Sequence, residues 1–139
     1  MINLIVGTKG SGKTKTLIDL INTAAKNTKG NVVCIEKGLK LTYDLDYSVR
    51  LVDIEQFGVS GFDAFYGFIA GILAGNYDIT HIFIDATFKI GGRDIPAFEN
   101  MILKLEKLIS SHGAEITFTV SCDISEIPED IKKYVINNK

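Results

Sequence analysis

The amino-acid sequence predicts an α/β fold, a three-layer α/β/α sandwich around a mainly parallel five-stranded sheet. Short apolar runs rich in β-branched residues alternate along the chain with segments whose apolar residues recur at helical spacing. This alternation is typical of parallel sheets that carry helices on both faces. A glycine-rich loop joins the first strand-like run to the first helical segment, which also favours this class. Because no linker-like composition interrupts the pattern, we expect residues 1–139 to form a single domain.

Five runs are predicted to be strands, because each is apolar and bounded by turn-forming residues. They are residues 2–6, 31–36, 49–53, 81–85 and 115–120. Residues 39–47 alternate only weakly between apolar and polar side chains. The sequence leaves open whether this stretch forms a hairpin arm or an extended loop.

Four segments are predicted to be helices from the spacing of their apolar residues: 13–26, 62–74, 94–112 and 128–136. Ser60 and Asp63 are expected to form a capping box at the start of the second helix. Asp94 is expected to cap the third helix, with Pro96 in its first turn. The second helix carries apolar residues on nearly every side, which predicts that protein surrounds it.

Composition excludes several classes of function. With 46% hydrophobic and 23% charged residues, the chain is an ordinary globular sequence rather than a disordered one. Its net charge of −2 and pI of about 5.6 do not indicate a nucleic-acid-binding face. The two cysteines and two histidines lack metal-ligand spacing, which argues against a zinc site. We predict a cytoplasmic protein from three observations. Cysteines are sparse, a core strand stands at the N-terminus, and no apolar segment is long enough to span a membrane.

Residues 7–14, GTKGSGKT, match the phosphate-binding loop pattern G-x-x-x-x-G-K-[ST] between a predicted strand and a predicted helix. The glycines permit backbone conformations in which N–H groups surround phosphate oxygens, and the helix N-terminus adds partial positive charge. We expect Lys13 to reach the β- and γ-phosphates and to serve catalysis, and the Thr14 hydroxyl to ligate Mg²⁺. The expected nucleotide-binding residues are Gly7, Thr8, Lys9, Gly10, Ser11, Gly12, Lys13 and Thr14.

The fourth predicted strand ends in Asp85, where nucleotide-binding sheets carry an acid that holds magnesium. With this acid and the loop, the chain resembles the P-loop NTPases, and it is similar to small uncharacterised bacterial P-loop ATP-binding proteins. Because its last strand ends in the polar Ser121, the chain is similar to the additional-strand branch of this family, which contains RecA-like and AAA-like ATPases. The resemblance implies the P-loop NTPase fold, ATP and Mg²⁺ as ligands, Asp85 as a metal ligand and Ser121 as a sensor of the γ-phosphate.

The chain departs from that branch after Asp85, where Ala86 and Thr87 stand in place of a water-activating glutamate. A substitute base must then come from another acid near the carboxyl ends of the strands, where ligands bind in open α/β sheets. We favour Glu36 for this role among the acids that end predicted strands: Glu36, Asp53, Glu55 and Asp123.

Two further features concern the nucleotide. Arg93 follows Asp85 on a glycine-containing segment and could neutralise charge in a transition state, although a turn-stabilising role is favoured. The chain lacks the Asn-Lys-x-Asp segment with which GTPases recognise guanine, so ATP is favoured over GTP.

These features leave three hypotheses of function. The first is a Mg²⁺-dependent ATP-binding protein that acts as a slow ATPase or a nucleotide-controlled switch. This hypothesis is compatible with binding to a protein partner. The second is a small-molecule kinase of the nucleoside type. The third is a non-catalytic interaction module that retains the loop. The composition indicates neither a membrane nor a nucleic acid as partner, and it leaves the oligomeric state open.

Overall fold

The structure, a computed structural model, describes residues 1–137. Within this range it has five strands: β1 at Ile2–Gly7, β2 at Asn31–Glu36, β3 at Arg50–Asp53, β4 at Ile79–Ile84 and β5 at Glu115–Ser121. The strands form one sheet in the order β1-β5-β4-β2-β3, and every pairing is parallel. The predicted α/β class with a parallel five-stranded sheet is confirmed.

The same range contains four α-helices: α1 at Lys13–Asn27, α2 at Phe62–Gly75, α3 at Thr87–Gly91 and α4 at Ile95–Ile109. Helix α1 packs on one face of the sheet, and α2 and α4 pack on the other, as expected for a three-layer sandwich. None of the helices in residues 1–137 is long and apolar enough to cross a membrane. Short 3₁₀ helices lie at Ile54–Phe57, Ile124–Glu126 and Glu129–Tyr134.

Each strand divides its side chains between two cores, because successive residues point to opposite faces. In β5 the apolar set faces α2 and α4, where Phe118 meets the Phe65 ring edge-on at a centroid distance of 6.4 Å. The opposite face is covered by α1, whose Leu17 and Ile21 pack against strand residues such as Phe83. The polar positions of β5 therefore lie on the α1 side of the sheet.

The start of α2 differs from the prediction. Its N-cap is Gly61 with a φ of 85°, and no side chain donates or accepts a capping hydrogen bond, so the capping box at Ser60 and Asp63 is wrong. A positive φ is a conformation that glycine adopts at little cost, and this backbone geometry replaces the side-chain cap. The predicted cap of α4 is confirmed, since Asp94 accepts a hydrogen bond from the Ala97 N–H at 3.1 Å.

Helix α2 is not surrounded by protein. Its large side chains are buried or half-buried, but the side facing solvent consists mostly of glycine and alanine: Ala64, Gly67, Gly71, Ala74 and Gly75. Glycine and alanine are counted as apolar when a sequence pattern is evaluated, but exposing them to solvent costs little free energy. The high apolar content of this helix therefore reflects a one-sided core contact rather than a central position.

The remaining differences concern connections. Residues 39–47 form turns along α1 rather than a hairpin arm, and the Asn22 side chain holds them by hydrogen bonds to the backbone of Asp44 and Asp46. The predicted C-terminal helix is a 3₁₀ helix that ends at Tyr134, after which the chain covers the edge of β1. There the Asn137 side chain accepts from the Val6 N–H at 2.9 Å and donates to the Val6 carbonyl at 2.8 Å.

Candidate functional site

The glycine-rich loop lies at the junction of β1 and α1, as the sequence predicts. Gly10 and Gly12 have φ values of 86° and 89°, and Gly12 is the N-cap residue of α1. A Cβ atom on Gly7 would overlap the Ser11 hydroxyl and lie 3.1 Å from the Ser11 Cβ, so a larger residue there would displace Ser11. The backbone therefore favours glycine at Gly10 and Gly12 because of their positive φ, and at Gly7 because of the close approach of Ser11.

Lys13 is the one strongly buried lysine within the described part of the chain, with 9% of its surface exposed. Its ammonium donates a hydrogen bond to the Thr8 carbonyl at 3.0 Å, across the loop. Burial lowers the pKa of Lys13 below its usual value, and the nearby Asp85 carboxylate opposes this shift. An anion placed in the loop would stabilise the charged ammonium that burial disfavours.

The sheet order brings the loop and Asp85 together. Strand β5 lies between β1 and β4, so the carboxyl ends of these three strands are neighbours. The Thr14 hydroxyl donates to Asp85 Oδ1 at 3.4 Å, although the two residues are 71 positions apart. Ser121, at the end of β5, is in register with Gly7. The predicted Lys13, Thr14, Asp85 and Ser121 therefore meet at one edge of the sheet.

Thr119, on the α1-facing side of β5, is a site residue that sequence reasoning missed. Its hydroxyl donates to Asp85 Oδ1 at 2.8 Å and accepts from the Ala86 N–H at 2.8 Å. The residue is 1% exposed. The available signal was the strict alternation in β5, which places polar residues on one face and apolar residues on the other. That alternation predicts on which face of the sheet each polar residue lies. It does not predict which group the residue binds.

These residues border a cleft of about 710 Å³ at the carboxyl edge of the sheet. Of the predicted loop residues, Lys9, Gly10, Gly12, Lys13 and Thr14 line it. Gly7, Thr8 and Ser11 line a smaller neighbouring cavity of about 250 Å³. The larger cleft is cationic, because four lysines without an ion pair among the described residues border it: Lys9, Lys13, Lys15 and Lys89. Arg93 also borders it, but its charge is paired with Glu126. Within the described residues, Asp85 is the one carboxylate in its lining.

Glu36 stands apart from this cleft. The residue is 3% exposed, and its carboxyl oxygens accept hydrogen bonds from the backbone N–H groups of Lys40 at 3.0 Å and Leu41 at 3.3 Å. It does not border the cleft, so the geometry gives it the role of holding the loop that follows β2. Its assignment as a hydrolytic base remains a prediction that the observed contacts do not favour.

Glu36 also provides a prediction about pH. Burial raises the pKa of Glu36 above its ordinary 4.5, against the opposing effect of its two backbone hydrogen bonds. The folded chain therefore keeps this proton to higher pH than the unfolded chain does. We expect the stability that wild type gains from Glu36, relative to Glu36→Gln, to be complete below pH 4.5 and to decline as the pH rises through the raised pKa. Urea unfolding of both proteins across this pH range measures the difference, and a difference that grows with pH would contradict the prediction.

Arg93 borders the cleft but is engaged elsewhere. Its guanidinium donates to the Ser121 carbonyl at 2.8 Å and to both carboxylate oxygens of Glu126 at 3.1 Å. It also lies over the Phe88 ring, 5.4 Å from the centroid. The structure thus ties Arg93 to the turn after β5, in agreement with the favoured turn-stabilising role.

Helix α3, which the sequence did not predict, begins at Thr87, two residues after Asp85. Its N-cap residue is Ala86, which has a φ of 65° and is the one non-glycine residue with positive φ among residues 1–137. This left-handed conformation is unfavourable for a residue with a Cβ. The Thr87 hydroxyl that follows is buried and has no hydrogen-bond partner within the described residues.

The unpaired Thr87 hydroxyl leads to a second prediction. Replacing it with valine, Thr87→Val, removes a buried polar atom and leaves the shape of the side chain nearly unchanged. Because an unsatisfied buried hydroxyl costs about 1–3 kcal/mol, we expect the free energy of unfolding to rise by about 1 kcal/mol. Chemical denaturation monitored by circular dichroism tests this, and a clear loss of stability would show that the hydroxyl has a partner.

Thr14 and Asp85 fit a magnesium ion by their chemistry. Mg²⁺ prefers oxygen ligands, and it is commonly held by one or two protein groups together with substrate phosphates. The Thr14 hydroxyl and the Asp85 carboxylate are 3.4 Å apart at the mouth of the loop. In residues 1–137 no cluster of three or more His, Cys, Asp or Glu side chains could hold a metal by itself. A metal at this place would therefore depend on phosphate oxygens as additional ligands.

A second cavity of about 610 Å³ lies between α1 and the sheet and has no contact with the loop. His81 Nε2 and Glu115 Oε2 pair there at 3.1 Å, and Asn3 donates to Glu115 at 3.2 Å. These polar groups are satisfied by one another. The cationic cleft is therefore the stronger candidate for a functional site.

Comparison with known proteins finds no family model that matches the chain and no curated protein that is similar to it. The function must therefore be inferred from the residues of the cleft.

Proposed function

We propose that this chain binds a nucleoside triphosphate, ATP in preference to GTP, together with Mg²⁺. One observation carries the proposal: the glycine-rich loop places Lys13 and Thr14 beside Asp85 at the carboxyl edge of a parallel sheet. This is the edge at which ligands bind in open α/β folds. Besides Arg93, which is paired with Glu126, the cleft has one carboxylate and four lysines, and this excess of positive charge favours a polyanionic ligand.

The fold assignment that we propose is the P-loop NTPase fold in its additional-strand form. Support comes from the sheet order, in which β5 separates the loop strand β1 from the strand β4 that ends before Asp85. Further support comes from Ser121, which reaches the cleft at the end of that intervening strand. This is the position in which the resemblance implies a sensor of the γ-phosphate.

In the proposed complex, backbone N–H groups of the loop and the N-terminus of α1 bind the phosphate oxygens. The Lys13 ammonium gives up its hydrogen bond to the Thr8 carbonyl and instead donates hydrogen bonds to the β- and γ-phosphates. Thr14 and Asp85 would hold Mg²⁺, which supplies positive charge at the phosphates when bound. Exposed Lys9 and Lys15 at the rim attract the anion from solution.

We further propose that hydrolysis is slow and that the protein acts as a weak ATPase or a nucleotide-controlled switch. Efficient attack by water requires a positioned base or orienting group near the γ-phosphate. Within the described residues, the cleft offers no carboxylate besides Asp85, which is assigned to the metal. A partner protein that supplies the missing group would accelerate turnover.

Titration calorimetry with ATP, with and without Mg²⁺, combined with an assay of ADP release tests the proposal. We expect Mg²⁺-dependent ATP binding and slow ADP release in the absence of a partner. Failure to bind at millimolar ATP would favour a non-catalytic interaction module. ADP release that rises strongly with an added nucleoside would favour the small-molecule kinase. A thermal-shift comparison of ATP with GTP tests the base preference, because the tighter ligand stabilises the folded state more.

A further inference from the structure

We propose that Thr119 is a positioning residue for this site, which aims the Asp85 carboxylate at the metal and fixes the backbone of Ala86. The inference rests on the proposed binding of a nucleotide with Mg²⁺. Thr119 is not part of the loop motif, and its side chain acts through its two neighbours rather than on the phosphates.

The Thr119 hydroxyl uses both of its hydrogen-bonding functions at the junction of β4 and α3. Its proton goes to Asp85 Oδ1, and a lone pair accepts the Ala86 N–H, each at 2.8 Å. A hydroxyl has a single proton, so the direction of both bonds is determined once the carboxylate is the acceptor. One buried atom therefore controls a side chain and the next peptide group together.

Asp85 is held from two sides by neighbouring strands. Its backbone N–H donates to the Ile35 carbonyl of β2 at 3.0 Å, and its side chain accepts from Thr119 of β5. Both hydroxyl contacts, from Thr119 and from Thr14, go to Oδ1. Oδ2 has no hydrogen-bond partner in the described residues, which leaves this oxygen for a cation. Without Thr119, the carboxylate could rotate and lose this orientation.

Ala86 needs this support because its backbone is in the left-handed region, with a φ of 65°. A non-glycine residue persists in such a conformation when its surroundings hold it there. The hydrogen bond from the Ala86 N–H to Thr119 holds it in this conformation. Ala86 is the N-cap residue of α3, which brings Lys89 to the cleft wall. Loss of the hydroxyl would therefore loosen both the metal ligand and the wall.

The test compares ATP affinity with Mg²⁺ and with EDTA in wild type, Thr119→Val, Thr119→Ser and Thr117→Val. Thr117 is the matched control, because it is a buried threonine on the same face of β5, two positions from Thr119. We expect Thr119→Val to weaken Mg²⁺-dependent binding by about 10-fold, since hydrogen bonds to charged groups are the stronger ones. In EDTA only the loosened wall remains, so Thr119→Val should weaken binding there by a clearly smaller factor than in Mg²⁺. Thr119→Ser should retain most of the affinity, and Thr117→Val should match wild type.

Equal affinities of Thr119→Val and Thr117→Val in Mg²⁺ would overturn the inference, as would an equal loss with and without Mg²⁺. If Thr119→Val does not fold, Thr119→Ser and Thr119→Ala provide the same comparison, because they differ by the hydroxyl. Amide hydrogen exchange at Ala86 is a readout that needs no ligand, and faster exchange is expected in the variants without the hydroxyl. Wild type that binds no ATP would refute the proposed function and the metal-positioning role, while this exchange measurement still decides whether Thr119 holds Ala86.

Discussion

Replacing Lys13 with alanine is expected to weaken ATP binding by about 10- to 150-fold, the equivalent of about 1.5–3 kcal/mol for charge-assisted hydrogen bonds. The reason is the position of the ammonium, which is buried in the loop beside the Thr8 carbonyl. Lys9, the other lysine of the loop, is exposed to solvent. Titration calorimetry of wild type and Lys13→Ala in the presence of Mg²⁺ measures the change.

The matched control is Lys15→Ala, two residues further along α1. Lys15 also borders the cleft, but it is exposed to solvent, so its charge is screened. We expect this variant to lose only a few-fold in affinity, and the loss should shrink as salt is added. Comparable losses in both variants would mean that Lys13 acts merely by long-range charge, which would contradict its proposed place at the phosphates.

Replacing Phe118 with alanine is expected to lower the free energy of unfolding by about 3–5 kcal/mol, the usual cost of removing a buried aromatic side chain. Phe118 is fully buried in β5, which pairs with β1 on one side and β4 on the other. Its ring packs against Phe65 of α2, so the substitution leaves a cavity between the sheet and the helix layer. Because the chain has no tryptophan, urea unfolding followed by far-ultraviolet circular dichroism is the suitable measurement.

Tyr77→Ala serves as the comparison for this core substitution. Tyr77 is fully exposed, and we expect its removal to change the stability by no more than about 0.5 kcal/mol. A loss below about 1 kcal/mol for Phe118→Ala would contradict the interior position of β5, between β1 and β4 in the sheet. The same result would weaken the functional proposal, because β5 also carries Thr119 and Ser121 to the cleft.

Local patterns in the sequence predicted most of the secondary structure and the loop. The loop glycines, the lysine and the hydroxyl lie within eight consecutive residues, and their roles depend on backbone conformations that each residue type permits. Asp85 could be found because it ends an apolar strand. Element ends were less predictable, as Gly61 shows, since a glycine in a positive-φ conformation replaced the expected side-chain cap.

The partners of individual polar side chains were not predictable. Glu36 and Arg93 were both considered for chemistry, yet Glu36 binds the backbone of the loop that follows it, and Arg93 binds Glu126. A charged side chain at the end of a strand has several polar groups within reach. Burial and the exact path of the following loop select among them, and neither can be derived from a single sequence.

The chain's local chemistry was therefore sufficient to specify a parallel α/β domain with a glycine-rich loop, since strand period, helix period and turn residues act over a few positions. Folding in three dimensions added the arrangement of the site. Because β5 lies between β1 and β4, the Thr119 hydroxyl can donate a hydrogen bond to the Asp85 carboxylate. The same strand order brings the Thr14 hydroxyl to 3.4 Å from Asp85 Oδ1, although the two residues are 71 positions apart. Strand order depends on how all the layers pack together, so this contact could arise only from the complete fold.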